Sequence, residues 1–325
     1  MVYLYISLGA VALCAVLLFY AVLFTQKTVA QRPDYVDRNY DPSMPEDDFP
    51  LDGETPFRVM SREGNFWWNR QPLERYEVMS HDGLKLAGHL LRADKPTRRV
   101  ALVLHGHQCA SGEMGFIARM FHDDLGLHVF MPDQRAHGKS EGKFYGMGLY
   151  EKYDVIRWLN VINTIFDDDC EIVLHGISMG AATVMLSSAE RDIADNVVCG
   201  IEDCGFTRAD QSALAVLKAN FGFIPFKRAI VSFASSLNKL RAGYLLKQPD
   251  CTQAVAHTRI PLLFIHGSKD QTVPLWMVDT LYDACTAKKE KLVIEDAQHG
   301  VAYFQNPDLY TKTVGDFIEK FFIVD

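Results

Sequence analysis

The chain has 325 residues, 48 % of them hydrophobic and 23 % charged, with a net charge of −8. That length admits one large α/β domain or two small ones, and nothing in the acidic balance resembles a nucleic-acid footprint, which needs a concentrated basic surface. Seven cysteines without a CxxC pair argue against a disulfide framework or a structural zinc site and are expected to be mostly buried free thiols.

From Val2 to Thr25 no side chain is charged. About 23 helical residues at ~1.5 Å rise give roughly 35 Å, enough to cross a hydrocarbon core, so residues 1–26 are expected to form a retained transmembrane anchor. Lys27, Arg32 and Arg38 follow the span and lean toward a cytoplasmic C-terminal domain at the cell membrane. Residues 27–72 carry five early prolines and the acidic run PEDD, which reads as a linker or an extended arm. Trp67 and Trp68 are expected to pin that arm to the domain.

Regular patterning begins at residue 73. Two alternating segments flank Asp82-Gly83 and predict a hairpin. Apolar runs ending near Gly106, Asp133, Gly176, Asp203, Gly267 and Asp296 predict buried strands, and helices are expected over 113–125, 150–166, 179–190 and after Pro307. Strands apolar throughout and alternating with helices predict an α/β fold with a mostly parallel, doubly wound sheet over residues 73–325. A partly helical stretch, about 205–256, interrupts the alternation.

The segment EIVLHGISMG places Ser178 between Gly176 and Gly180, on a predicted strand-to-helix turn. Such a turn lifts a nucleophilic hydroxyl above the sheet and aims the next helix's N-terminus at it. A serine hydroxyl needs a base, and His299, after the last strand, is preferred to His137, which could line the same cleft. His105, His175 and His266 are expected to make local contacts. An acid after a late strand should orient the base; Asp270 is preferred to Asp203, which also ends a strand. Asp133 is expected to tie its own loop. The backbone N–H groups of His107 and Met179 are expected to face the place where a negative oxygen would develop.

The motifs HGHQ, DQRAHGKSEG, GISMG, GSKDQTVP and AQHG occur in that order. Through them the chain from about 73 to 325 resembles the α/β-hydrolase superfamily, and in particular bacterial membrane-anchored members of serine aminopeptidase-like or esterase-like type. The resemblance implies an α/β-hydrolase fold with a helical lid insertion. It implies a serine hydrolase with Ser178, His299 and Asp270 as catalytic residues, acting on a small-molecule or lipid-like acyl substrate without metal or organic cofactor. Two positions depart from the family pattern: Ala136 stands where glycine is common, and His107 replaces an apolar or aromatic residue. A carboxylic ester or thioester is the favoured substrate, because Asp210 and Asp250 are the only acids between 206 and 256 that could hold a peptide's amino terminus there. An aminopeptidase, or a catalytically silent binding protein of the same fold, are the alternatives.

Within the lid, Phe226, Ile230, Phe233, Leu237 and Leu240 recur at helical spacing. They are expected to pack over the cleft as one apolar face. Seven basic side chains against two acidic ones give residues 206–256 a net +5, leaving −13 on the rest of the chain. Those bases are expected either to be solvated or to meet anionic lipid.

Overall fold

The computed structural model describes residues 56–323 except 221 and 224. The expected anchor at 1–26 and most of the arm at 27–72 lie outside the described residues. Among the described residues no helix is long and apolar enough to cross a membrane.

One eight-stranded sheet organises the chain, in the order β1-β2-β4-β3-β5-β6-β7-β8. Its strands are β1 (Glu74–Met79), β2 (Lys85–Leu91), β3 (Arg99–Leu104), β4 (His128–Pro132), β5 (Glu171–Ile177), β6 (Val197–Asp203), β7 (Leu262–Gly267) and β8 (Lys289–Ile294). The first two form the expected hairpin, pairing Val78 with Leu86 and turning at Gly83 with φ of +86°. Strand β2 joins β4 antiparallel, and every pair from β4 to β8 is parallel. The central strands β4, β5 and β7 are buried at every position, which is why their sequences read as mainly apolar runs.

Helices cover both faces. They are α1 (Pro56–Asn69), α2 (Gly115–Arg119), α3 (Glu151–Ile165), α4 (Met179–Ser188), α5 (Ala209–Asn220), α6 (Lys227–Ala242), α7 (Cys251–Val255), α8 (Trp276–Ala284), α9 (Ala302–Gln305) and α10 (Pro307–Ile318). On one face Trp158 of α3, Val184 of α4 and Met277 of α8 pack on Leu102, Leu174 and Phe264. On the other, Trp68 of α1, Ile117 of α2 and Phe317 of α10 pack on Val129, Val173 and Leu263. Each such side chain, fully buried, contributes about 1.5–3 kcal/mol of transfer free energy. The chain leaves β3 for β4 on one side and reaches β5 on the other, so the crevice at the carboxyl ends of β3 and β5 is the switch point where such sheets bind ligands.

Three elements differ from expectation. The segment 113–125 is not one helix: a 3₁₀ turn, the short α2 and a π-turn at Met120–Asp124 follow one another. The end of the arm forms a 14-residue helix, α1, where the sequence predicts no regular element over residues 27–72. Its packing explains it: a Cβ at Gly115 would lie 1.9 Å from the Gly64 carbonyl oxygen, so two glycines let α1 and α2 touch backbone to backbone. Trp68 is then buried in the core as expected of a pin. The third difference is in the lid. Helix α6 buries Ile230, Val231, Ala234 and Asn238, and leaves Phe226, Phe233 and Leu240 exposed. At about 100° per residue the packed face is rotated roughly a quarter turn from the expected one.

Candidate active site

Strand β5 delivers Ser178 to the carboxyl edge of the sheet in a conformation that costs energy. Its φ of 57° and ψ of −111° fall where a non-glycine residue persists only when its surroundings impose it. The surroundings are explicit. A Cβ at Gly176 would lie 2.3 Å from the carbonyl of Gly180, and one at Gly180 would lie 2.2 Å from the carbonyl oxygen of Leu104. Only hydrogen fits at either glycine, so α4 can press directly on β3. The Ser178 N–H donates to the Asp203 carbonyl at 2.8 Å, and its own carbonyl accepts from the Ala182 N–H at 3.0 Å. The turn is thereby held from both sides.

The loop after β8 brings His299 to this hydroxyl, with Nε2 2.8 Å from Ser178 Oγ. The other ring nitrogen, Nδ1, lies 2.6 Å from Asp270 Oδ2. Asp270, buried after β7, accepts at Oδ1 from the N–H groups of Thr272 and Val273, both at 2.8 Å. Two backbone donors thus satisfy one carboxylate oxygen and leave the other aimed at the imidazole. His266 sits at the same carboxylate: its Nε2 donates to the Val273 carbonyl at 2.7 Å and lies 3.5 Å from Asp270 Oδ2. Burial holds this ring below the usual histidine range, so it stays neutral and fixes the Asp270 loop.

The other residues raised from the sequence take different places. His137 does not reach Ser178. Its Nδ1 donates to the Arg135 carbonyl at 2.9 Å and its Nε2 accepts from the Gln108 N–H at 3.2 Å, and burial pushes its pKa down to about 3. It is a neutral brace for the loop after β3. His105 braces the same region, accepting from the Gln134 N–H at 2.9 Å. Asp133 ties its loop by accepting from the N–H groups of Ser111 and Lys139. Asp203 lies under the serine but not against His299. Its Oδ2 accepts from the Tyr310 hydroxyl at 3.1 Å, and the Tyr310 hydroxyl oxygen lies 2.8 Å from His175 Nε2. Burial raises the Asp203 carboxyl to about 7 and that of neighbouring Glu202 to about 8.

His107 and Met179 line one cavity with Ser178. Neither of their N–H groups donates to a backbone carbonyl among the described residues. The His107 ring is hydrogen-bonded to the Tyr145 hydroxyl, and burial lowers its pKa to about 4, so a neutral ring borders the hydroxyl. Ala136 adopts φ of 61°, a left-handed conformation that explains why glycine suits this position. The cavity itself measures about 120 Å³, and its walls are apolar: Met147, Phe206, Ala213, Val216, Leu246 and Val273. Helix α5 supplies Ala213 and Val216, so the lid closes one side. No local sequence pattern marks Tyr145, Tyr310 or these wall residues, because long-range packing alone brings them here.

Among the described residues the grouping that could offer three metal-ligand atoms is Cys204, Asp270 and His299. Asp270 and His299 already bind one another, and burial raises the Cys204 thiol well above its ordinary pKa. A thiolate is disfavoured there, and the donor set fits a metal poorly.

The sequence model of the Alpha/beta hydrolase family matches residues 100–313. The chain is 30 % identical over 197 residues to the uncharacterized protein YqkD of Bacillus subtilis, a match covering 61 % of this chain and 64 % of that one. It is 25 % identical over 259 residues to the uncharacterized membrane protein YNL320W of Saccharomyces cerevisiae, covering 78 % and 82 %. Among solved structures, the esterase Pf2001 of Pyrococcus furiosus aligns with a TM-score of 0.61 at 22 % identity, over 77 % of this chain and 90 % of that one. A bacterial membrane phospholipase A aligns with a TM-score of 0.55 at 15 % identity, over 82 % and 92 %.

Proposed function

The chain belongs to the alpha/beta hydrolase family, and we propose that it is a membrane-anchored serine hydrolase that cleaves a carboxylic ester or thioester of a short, apolar acyl group. The observation that carries this reading is the continuous hydrogen-bonded series from Ser178 Oγ through His299 to Asp270 at the mouth of a small apolar cavity. In the proposed reaction Ser178 Oγ attacks the carbonyl carbon as its proton passes to His299 Nε2. The oxyanion is received by the N–H groups of His107 and Met179, each such donor being worth about 10²–10³ in turnover. His299 then returns the proton to the leaving oxygen or sulfur. Water, deprotonated by the same nitrogen, releases the acyl group from Ser178. Asp270 Oδ2 holds the proton on Nδ1, so that Nε2 is the free base, and balances the imidazolium charge.

Fold relatives named as esterases support the ester reading. An aminopeptidase reading lacks a partner for a free ammonium in the lid. Asp210 is engaged by Arg208 in two hydrogen bonds of 2.7 Å, and Asp250 caps α7 by accepting from the Gln253 N–H at 3.0 Å. A fluorophosphonate probe should label the wild-type chain at Ser178. Absence of that adduct in active protein would overturn the reading.

Cavity size sets the acyl length. A cavity of about 150 Å³ holds benzene, so the cavity here suits an acyl chain of about four or five carbons. Across p-nitrophenyl esters, kcat/KM should peak near butyrate and drop by at least about tenfold at octanoate. Ala213→Leu should shift the optimum to acetate and Phe206→Ala should shift it to longer chains. An unchanged profile in both variants would place the acyl group elsewhere.

The apolar segment Val2–Thr25 supports anchoring, and the basic residues after it favour a cytoplasmic catalytic domain. Alkaline carbonate extraction should leave the full chain in the membrane pellet. Release into the supernatant would remove the anchor from the proposal.

A further inference from the structure

Helix α6 is the outermost layer of the lid. Its buried Ile230 and Val231 pack on Ala213 and Leu217 of α5, and α5 in turn walls the cavity beside Ser178. A second, outward face of α6 and the turn before it carry large apolar groups: Phe223 is 82 % exposed, Phe226 60 %, Phe233 42 % and Leu240 84 %. Phe226 sits at the start of α6 with φ of 56°, a conformation in which a bulky residue is a rare outlier. Isolated surface apolar residues are ordinary, but four large ones exposed within residues 223–240 are the concentration that marks an interaction surface.

Charge identifies the occupant. The lid carries +5 on a chain whose remainder carries −13, so the positive field is concentrated around this patch. Arg228, Lys239 and Arg241 lie on the same helix, and Lys218 and Lys247 lie on the flanking segments. We propose that the lid docks on an anionic phospholipid surface, with Phe226, Phe233 and Leu240 entering the headgroup–acyl boundary and the basic side chains meeting lipid phosphates. An amphipathic element lying in the interface plane has this composition: aromatic and leucine groups on one side, Lys and Arg on the other. Anionic lipid adds attraction for each base near the surface, within a Debye length. Docking would hold the acyl cavity one helix layer from the bilayer, and it is separate from anchoring by residues 1–26.

The test uses the full chain reconstituted in nanodiscs, so that the anchor is present in every arm. Backbone hydrogen exchange is read over residues 226–242. In discs containing phosphatidylglycerol these amides should exchange about tenfold more slowly than in pure phosphatidylcholine. The protection should fall at 0.5 M salt (about a 4 Å screening length). The Phe226→Asn/Phe233→Gln/Leu240→Gln variant should lose the protection while retaining turnover of soluble p-nitrophenyl butyrate, which shows that it folds. Arg228→Gln/Lys239→Gln should lose the lipid-charge dependence only. Equal exchange in both lipids, or protection that rises with protein concentration in detergent as a second copy would produce, overturns the proposal.

Discussion

Ser178→Ala and His299→Ala should each lower kcat on p-nitrophenyl butyrate by about 10⁶, and the double variant by scarcely more. The non-additivity is the informative part. Once the hydroxyl is gone, the base has no proton to take; once the base is gone, the hydroxyl stays a weak nucleophile. The 2.8 Å contact between Oγ and Nε2 makes the two groups one unit. Residual turnover of about 10³–10⁴ over water should persist from the His107 and Met179 N–H groups. Near-ultraviolet circular dichroism should match wild type, because alanine at 178 can keep the backbone bonds to Asp203 and Ala182. If His299→Ala keeps more than about a tenth of wild-type turnover, far above the expected loss, another group is the base.

Asp270→Asn should cost about 10⁴ in kcat, whereas Asp203→Asn should cost far less and announce itself in stability instead. An amide at 270 either turns its N–H toward Nδ1 and favours the wrong imidazole tautomer, or turns it toward the Thr272 and Val273 N–H groups and loses both backbone donors now held by Oδ1. Asp203 addresses Tyr310, not His299, so its amide leaves the base in place. Its effect on stability follows from linkage. The carboxyl binds its proton with a pKa raised by burial to about 7 in the folded chain, against about 3.9 unfolded. The folded state therefore holds more protons between those values, and the stability this group contributes at low pH is lost as pH rises through 7. Asp203→Asn removes that loss. Its Tm should exceed that of wild type at pH 8 by more than at pH 5, and Glu202→Gln should behave alike around pH 8. A larger activity loss from Asp203→Asn than from Asp270→Asn would exchange their roles.

Strands and the serine turn were legible in the sequence because their causes are local. A strand buried on both faces is built mainly from apolar residues, and β4, β5 and β7, buried at every position, are so apart from His128, Glu171, His175 and His266. A strand-to-helix turn that carries a serine leaves a local signature, glycine at 176 and 180, and the close contacts with Gly180 and Leu104 show why only hydrogen fits there. Chain order alone favoured His299 and Asp270, and both lie in the hydrogen-bonded series with Ser178. Their rivals could not be dismissed from sequence. Asp203 also ends a strand, and only the Tyr310 hydroxyl, 107 residues away in sequence, shows where its carboxylate points. His137 likewise follows a strand, yet both its nitrogens are spent on Arg135 and Gln108.

Tertiary structure decided the elements whose stabilising partners are remote. Helix α1 is fixed where Gly64 meets Gly115 and Trp68 enters the core, because a short helix in water gains most of its stability from packing. Helix α6 was legible as a helix but not in its orientation. Two faces of it are apolar, Ile230–Val231–Ala234 and Phe226–Phe233–Leu240, and the first is buried because α5 offers Ala213 and Leu217 to it. Periodicity reports that a face exists; which face is buried depends on a neighbour that the helix's own sequence does not contain.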